Sequence, residues 1–267
     1  MFRQVLCLAK TGSSFVKRIF RQQGALHEYD FESIAAICIQ NNGCGDTDSD
    51  RDYINKRRMQ LGGLLDVSTS LIFLHERNEI NIDNGATLLI VRDPYTWIRS
   101  VLQYSIRVQE SGELLQEGGW RQQYGRMFTP NAGLLTELVK KKESKETFAR
   151  IATLDLFNTW IRYTNFLSEV YLQRGDKKVD LAFTHNLSSI ECYEEIERLF
   201  EFRETVAPLD LFKPANQTSL DSDIDSVLLE QLPGIKDIRI RRKEDLGTAV
   251  SDAQSLLSEQ YGKGVIE

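Results

Sequence analysis

The sequence has little cysteine and no long hydrophobic run. Its 267 residues include four cysteines, none of them in a CxxC pair. A disulfide framework or a thiolate metal site therefore has no support, and we expect reduced thiols inside the cell. The longest apolar runs are only a few residues, too short for a transmembrane helix. The first residues lack a signal-peptide pattern, which predicts a cytoplasmic location.

Histidine is also scarce, and acidic residues outnumber basic ones. The three histidines lie far apart, so we expect no metal site. The 33 Lys and Arg against 39 Asp and Glu give a net charge of −6, which argues against nucleic acid or an anionic membrane as a partner. The sequence has neither the G-x-S-x-G of a serine hydrolase nor a Walker A motif. A hydrophobic fraction of 41% is ordinary for a globular protein.

The chain alternates short apolar runs with amphipathic segments. Buried strands are predicted at residues 5–9, 64–66, 87–91 and 179–183. Helices are predicted at residues 14–23, from 94 onward, at 146–174 and 188–202, and after 248. Residues 41–52 have the composition of a loop, and residues 110–145 that of a mobile segment. This alternation predicts an α/β fold, one domain over 1–267 with a central parallel sheet flanked by helices.

The first predicted strand runs directly into KTGSS, Lys10 to Ser14. A turn between a strand and a helix offers free N–H groups, which suit a phosphate. Gly12 would allow the backbone close to the anion, Ser13 and Ser14 add hydroxyl donors, and Lys10 adds a charge. The alternative is an ordinary turn in which a serine caps the helix.

A second turn repeats this arrangement after the strand at residues 87–91. Asp93 fits the N-cap of the following helix and Pro94 its first position. Arg92 and Ser100 could then bind a second phosphate of one extended ligand. The alternative is that Arg92 is an exposed charge.

Together the two turns resemble the sulfotransferases that use 3′-phosphoadenosine 5′-phosphosulfate (PAPS). The family's K-x-G-[ST]-[ST]-[FW] loop, which holds the 5′-phosphosulfate, matches Lys10-Thr11-Gly12-Ser13-Ser14-Phe15. Its R-[DN]-P turn with a following serine, which holds the 3′-phosphate, matches Arg92-Asp93-Pro94 and Ser100. The resemblance implies a sulfotransferase-like fold, similar to that of P-loop NTPases. It also implies a site without metal for PAPS or for its product 3′-phosphoadenosine 5′-phosphate (PAP).

Two later segments depart from the family pattern. Many members have Tyr-Glu-Asp after the strand at residues 179–183, where this chain has Thr184-His185-Asn186. The resemblance would place a basic loop over the 3′-phosphate at Arg242 and Lys243, but Glu244 stands where the family has glycine. A solvated charge cluster is the alternative for that loop.

Sulfuryl transfer needs charge neutralisation and a general base. Lys10 would neutralise the leaving 5′-phosphate. Three sets of side chains are candidates for the base. His75 can be aligned with the catalytic histidine of small-molecule sulfotransferases. His27 and Glu28 follow the first helix, where glycan-type members have a glutamate. Asp66 is the third candidate, because it would end a strand.

The resulting hypothesis is sulfuryl transfer from PAPS to a hydroxyl or amine of a small molecule, with a secondary metabolite as the suggested acceptor. Two alternatives stay open. One is a small-molecule kinase of the P-loop type, which would need magnesium. The other is a nucleotide-binding partner module that binds PAP without turnover. Both a monomer and a homodimer fit the sequence.

Overall fold

The computed structural model describes residues 1–30, 33–34, 36–37, 47–78, 85–110, 144–202 and 222–262. The chain divides into two compact units. The first unit combines Met1–Arg92 with Phe166–Gln217, and the second combines Asp93–Asn165 with Thr218–Glu267. The expectation that residues 1–267 form one domain stays a prediction.

The first unit contains a five-stranded, wholly parallel sheet. Its strands are β1 (Phe2–Cys7), β2 (Ala25–His27), β3 (Leu65–Ser68), β4 (Gly85–Val91) and β5 (Val179–Phe183). They lie in the order β2-β3-β1-β4-β5, so β1 is central. The predicted α/β fold with a parallel central sheet flanked by helices is confirmed.

In the described part of the chain, helices lie between successive strands and also follow β5. They are α1 (Ser13–Ile19), α2 (Thr47–Leu61), α3 (Leu71–Asn78), α4 (Pro94–Glu110), α5 (Lys145–Leu172), α6 (Ile190–Phe200), α7 (Ser222–Gln231) and α8 (Asp245–Gly262). Short 3₁₀ turns occur at Arg21–Gln23 and Ile235–Asp237. Among the described residues, none of these helices has the length and apolar character needed to cross a bilayer.

One face of the sheet packs against α1 and α6. Val5 and Cys7 alternate with their neighbours in β1, so both side chains point to this face. Phe20, which follows α1, stacks on Tyr193 of α6 with ring centroids 5.2 Å apart. This core fixes the start of α1 relative to the end of β1. On the sheet's other face, Gln4 donates a 3.0 Å hydrogen bond to Thr87 Oγ1, so a polar contact joins the two central strands there.

The second unit is helical in its described part. The backbone N–H of Trp97 donates to the Asp93 carbonyl, which opens α4 where the sequence predicts. The Asp93 carboxylate does not cap that helix through any described contact; it accepts from the Ile240 N–H at 2.8 Å and from Arg239 at 3.3 Å. Asp93 therefore joins the start of α4 to the segment before α8.

One prediction about the first unit is wrong in detail, and one strand of this unit was missed. Residues 47–52, predicted as loop, form the first turns of α2, because Asp48 and Asp50 favour a helix N-terminus. Strand β2 was not predicted, since three residues are too few for a periodic pattern. The predicted mobile segment at 110–145 falls almost entirely outside the described residues.

Candidate functional site

The strand order places a topological switch at the end of β1. The connection from β1 leads to β2 at one edge, whereas the connection from β3 leads to β4 on the other side of β1. In open α/β sheets, ligands bind beyond the carboxyl ends of the strands at such a switch. The segment Lys10–Ser14 leaves β1 at this point, as the sequence analysis expects.

The turn from Lys10 to Gly12 has an unusual backbone. Lys10 has φ +64° and Gly12 has φ +112°, both in the left-handed region. The φ of Gly12 favours glycine, and a Cβ atom there would lie 2.4 Å from Leu187 Cδ1 and would have to displace that buried methyl group. The buried Thr11 hydroxyl donates to the Leu8 carbonyl at 2.5 Å and closes the turn.

Two side chains from neighbouring strands hold the carbonyl groups of this turn. Arg92, directly after β4, donates to the Lys10 carbonyl at 2.8 Å. Thr184, directly after β5, donates from its hydroxyl to the Thr11 carbonyl at 2.7 Å and lies 3.3 Å from the Val91 carbonyl. Arg92 was predicted from the sequence to belong to this site, whereas no role was predicted for Thr184. The sequence marks this position by a difference, because Thr184 stands where many PAPS-dependent sulfotransferases have tyrosine.

The residues of the predicted loop differ in exposure. Lys10 is half-buried and Ser14 is exposed, so both can meet a ligand. Ser13 is buried. Phe15 belongs to the core under the sheet, and its contribution to the loop is therefore packing.

Ser13 lies against His27, the last residue of β2. Ser13 Oγ and His27 Nε2 are 3.1 Å apart. The His27 side chain is 27% exposed. Burial lowers the pKa of His27 below its ordinary value, the Glu28 carboxylate raises it, and Lys17 lowers it. His27 is therefore a neutral imidazole at neutral pH, able to accept a proton.

Glu28 is held by the turn between β3 and α3. Its Oε1 accepts from the Thr69 N–H at 2.8 Å and the Thr69 hydroxyl at 2.5 Å. Its Oε2 accepts from the hydroxyls of Ser70 at 2.7 Å and Ser68 at 3.1 Å. We call His27, Glu28, Ser68, Thr69 and Ser70 the edge cluster. His27 and Glu28 were predicted from the sequence as candidate bases, whereas no role was predicted for the three hydroxyl residues.

Asp66 does not end its strand, which corrects the expectation. It is the second residue of β3 and its side chain is fully buried. Arg57 of α2 donates to both carboxylate oxygens, at 2.7 Å and 2.8 Å, and also to the Tyr29 carbonyl. Burial raises the pKa of Asp66, and Arg57 opposes that rise. This arrangement is that of a structural ion pair.

His75 lies in the protein interior. Its side chain is fully buried in α3, and neither ring nitrogen has a hydrogen-bond partner among the described residues. Burial, with a contribution from Arg58, lowers its pKa to about 3. The structure does not bring His75 to the surface at which an acceptor could approach, so its predicted role as base has no geometric support.

The remaining predicted residues belong to the second unit. Ser100 lies on α4 and is half-buried. Arg242 is exposed and pairs with Asp245, whose carboxylate also accepts from the backbone N–H groups of Arg241 and Arg242. Lys243 follows in the same turn. The described contacts of this basic segment are those of a helix start, and its predicted role over a phosphate stays a prediction.

Comparison with protein-family models, with curated proteins and with solved structures finds no match to this chain.

The first unit thus gathers an anion-compatible turn, a neutral imidazole and a fully hydrogen-bonded carboxylate. A Ser-His-acid triad would place the acid on the imidazole nitrogen opposite the serine. Here Glu28 Oε1 lies 4.0 Å from Nε2, the same nitrogen that contacts Ser13. These contacts are therefore not those of a Ser-His-acid triad.

Proposed function

We propose that the protein is a sulfotransferase that moves the sulfuryl group of PAPS to a hydroxyl or amine of a small molecule. The observation that carries the proposal is the turn from Lys10 to Ser14, whose carbonyls are tied to the ends of β4 and β5. The resemblance of KTGSSF and R-D-P to the PAPS-dependent family supplies the donor's identity.

The peptide geometry of the turn supports the proposal that an anion binds there. In a planar trans peptide the C=O and the following N–H point in opposite directions. Because the Lys10 carbonyl faces Arg92 and the Thr11 carbonyl faces Thr184, the N–H groups of Thr11 and Gly12 face away from these side chains. Backbone N–H groups in left-handed turns form concave anion sites.

The chain's residues suit two parts of this chemistry, the departure of the 5′-phosphate and the removal of the acceptor's proton. Lys10 would neutralise charge on the 5′-phosphate as the sulfur–oxygen bond to it breaks, and the Ser14 hydroxyl would donate a hydrogen bond to it. The acceptor oxygen or nitrogen forms the new bond to sulfur and loses its proton. His27 would take that proton, since its imidazole is neutral at neutral pH.

The proposal includes a small-molecule acceptor and a cytoplasmic location. The acidic net charge of −6 supports the absence of a nucleic-acid or membrane partner. A secondary metabolite is the proposed acceptor class.

The test is calorimetric titration with PAP, without metal, of the wild type and of Arg92→Ala. We expect binding that weakens in the variant, because the Lys10 carbonyl loses its donor. Lys236→Ala is a control that removes a cation from the second unit. A preference for ATP with magnesium would favour the kinase alternative. PAP binding without transfer from labelled PAPS to any hydroxyl or amine in an acceptor panel would favour the partner module.

A further inference from the structure

Glu28 has the backbone of a residue under constraint. Its φ is +51°, in the left-handed region, and its N–H donates to the Val67 carbonyl at 3.1 Å. A non-glycine residue persists there only where its surroundings hold it. The surroundings here are the residues that follow β3.

The carboxylate of Glu28 is saturated with hydrogen bonds. Each of its two oxygens accepts two donors, all four from Ser68, Thr69 and Ser70. A carboxylate has about four lone-pair sites in total. A general base needs an unoccupied lone pair directed at the substrate proton. Glu28 offers none in this geometry, although its side chain is 18% exposed.

We propose that Glu28 is a positioning residue that fixes His27 against Ser13, and that it is not the base. Five hydrogen bonds join Glu28 to the chain between Val67 and Ser70, and His27 is its direct neighbour. This attachment sets the direction in which β2 ends. The imidazole of His27 then lies 3.1 Å from Ser13, at the start of α1 beside the turn that begins at Lys10. The inference rests on the proposed function for the identity of the reaction.

Charge adds a second effect of Glu28 on His27. The groups that act on the imidazole are Glu28 beside it and Lys17 on α1, of opposite sign, with the neutral Ser13 in contact. Glu28 favours the protonated imidazole, so it would stabilise the state of His27 after proton transfer.

The test uses Glu28→Gln, which keeps the side-chain shape and removes the charge. Nuclear magnetic resonance can follow His27 directly, because the chain has only three histidines. We expect the pKa of His27 to fall in this variant and its contact with Ser13 to loosen. Turnover should fall by up to about 10²-fold, the cost of misplacing a reacting group. His27→Ala should lose about 10² to 10⁴-fold, as expected for a missing base. PAP affinity should stay that of the wild type in both variants.

Glu197→Gln is the matched control. Glu197 is a half-buried carboxylate on α6 that accepts a 2.7 Å hydrogen bond from the Tyr193 hydroxyl. Its loss should not move the His27 titration. If Glu28→Gln fails to fold, Thr69→Val removes one 2.5 Å donor and should also loosen the contact between His27 and Ser13.

An unchanged His27 titration in Glu28→Gln overturns the proposal. So does a variant pair in which Glu28→Gln abolishes transfer while His27→Ala retains it, since Glu28 would then be the base. If the wild type binds no PAP, the proposed function fails, but the resonance experiment still decides whether Glu28 positions His27.

Discussion

His27 in the edge strand β2 and His75 in the buried part of α3 were equal candidates on sequence, and their surroundings differ sharply. His27 contacts a hydroxyl, neighbours a carboxylate and is 27% exposed. His75 is fully buried and has no hydrogen-bond partner among the described residues. Behind the edge cluster, Arg57 and Asp66 form a fully buried ion pair. Polar groups of the edge cluster can contact a ligand, whereas the fully buried ones can affect only the stability of the fold.

The largest effect is expected on removing the buried ion pair between Arg57 and Asp66. Arg57→Met leaves Asp66 buried without its cation, and we expect the free energy of unfolding to fall by about 3–5 kcal/mol. Denaturant unfolding measures the change. Arg150→Met is the control, because its ion pair with Glu230 is half-exposed and surface pairs often contribute nothing measurable. Equal losses in both variants would contradict the distinction between interior and surface charges.

The next effect is the pH dependence of stability caused by His75. Its folded pKa is lowered to about 3, whereas the unfolded chain has the ordinary value of 6.5. Between these values the unfolded state binds a proton that the folded state does not, so stability is complete above pH 6.5 and falls as the pH drops toward 3. His75→Phe should flatten this slope in unfolding curves measured across that range.

His27→Asn provides the comparison for that experiment. The pKa of His27 is lowered in the same direction, but Glu28 opposes the shift. We therefore expect the slope to change less than in His75→Phe. A larger change on removing His27 would mean that the edge cluster, and not the interior, controls acid stability.

The smallest effect concerns the turn from Lys10 to Gly12, which follows the central strand β1. Thr184→Val removes the hydroxyl that holds the Thr11 carbonyl, and PAP binding should weaken by about 1 kcal/mol, close to fivefold in Kd. Thr153→Val is the control, because its buried hydroxyl also donates to a carbonyl, at 2.7 Å within α5. Calorimetry should show weaker binding for Thr184→Val alone. Equal affinities would limit Thr184 to a structural role.

The sequence alone predicted most of the strands and the turn from Lys10 to Ser14. Runs such as residues 87–91 are apolar on both faces, which only a covered parallel sheet accommodates. Gly12 followed by serines before an amphipathic segment predicted a tight turn into a helix, because such local preferences act over a few residues. The turn at Arg92 could be identified for the same reason, whereas His27 was a candidate only through the resemblance to the sulfotransferases.

Only the tertiary structure decided which of these residues meet. Thr184 and Thr11 are 173 positions apart, and Glu28 and Ser70 are 42 apart, so no local pattern relates them. The order of the strands brings their ends to one edge of the sheet. Asp66 and His75 were candidates by residue type, but burial by distant helices and strands turned them into interior groups. Residue type sets what a side chain can do, and packing sets what it can reach.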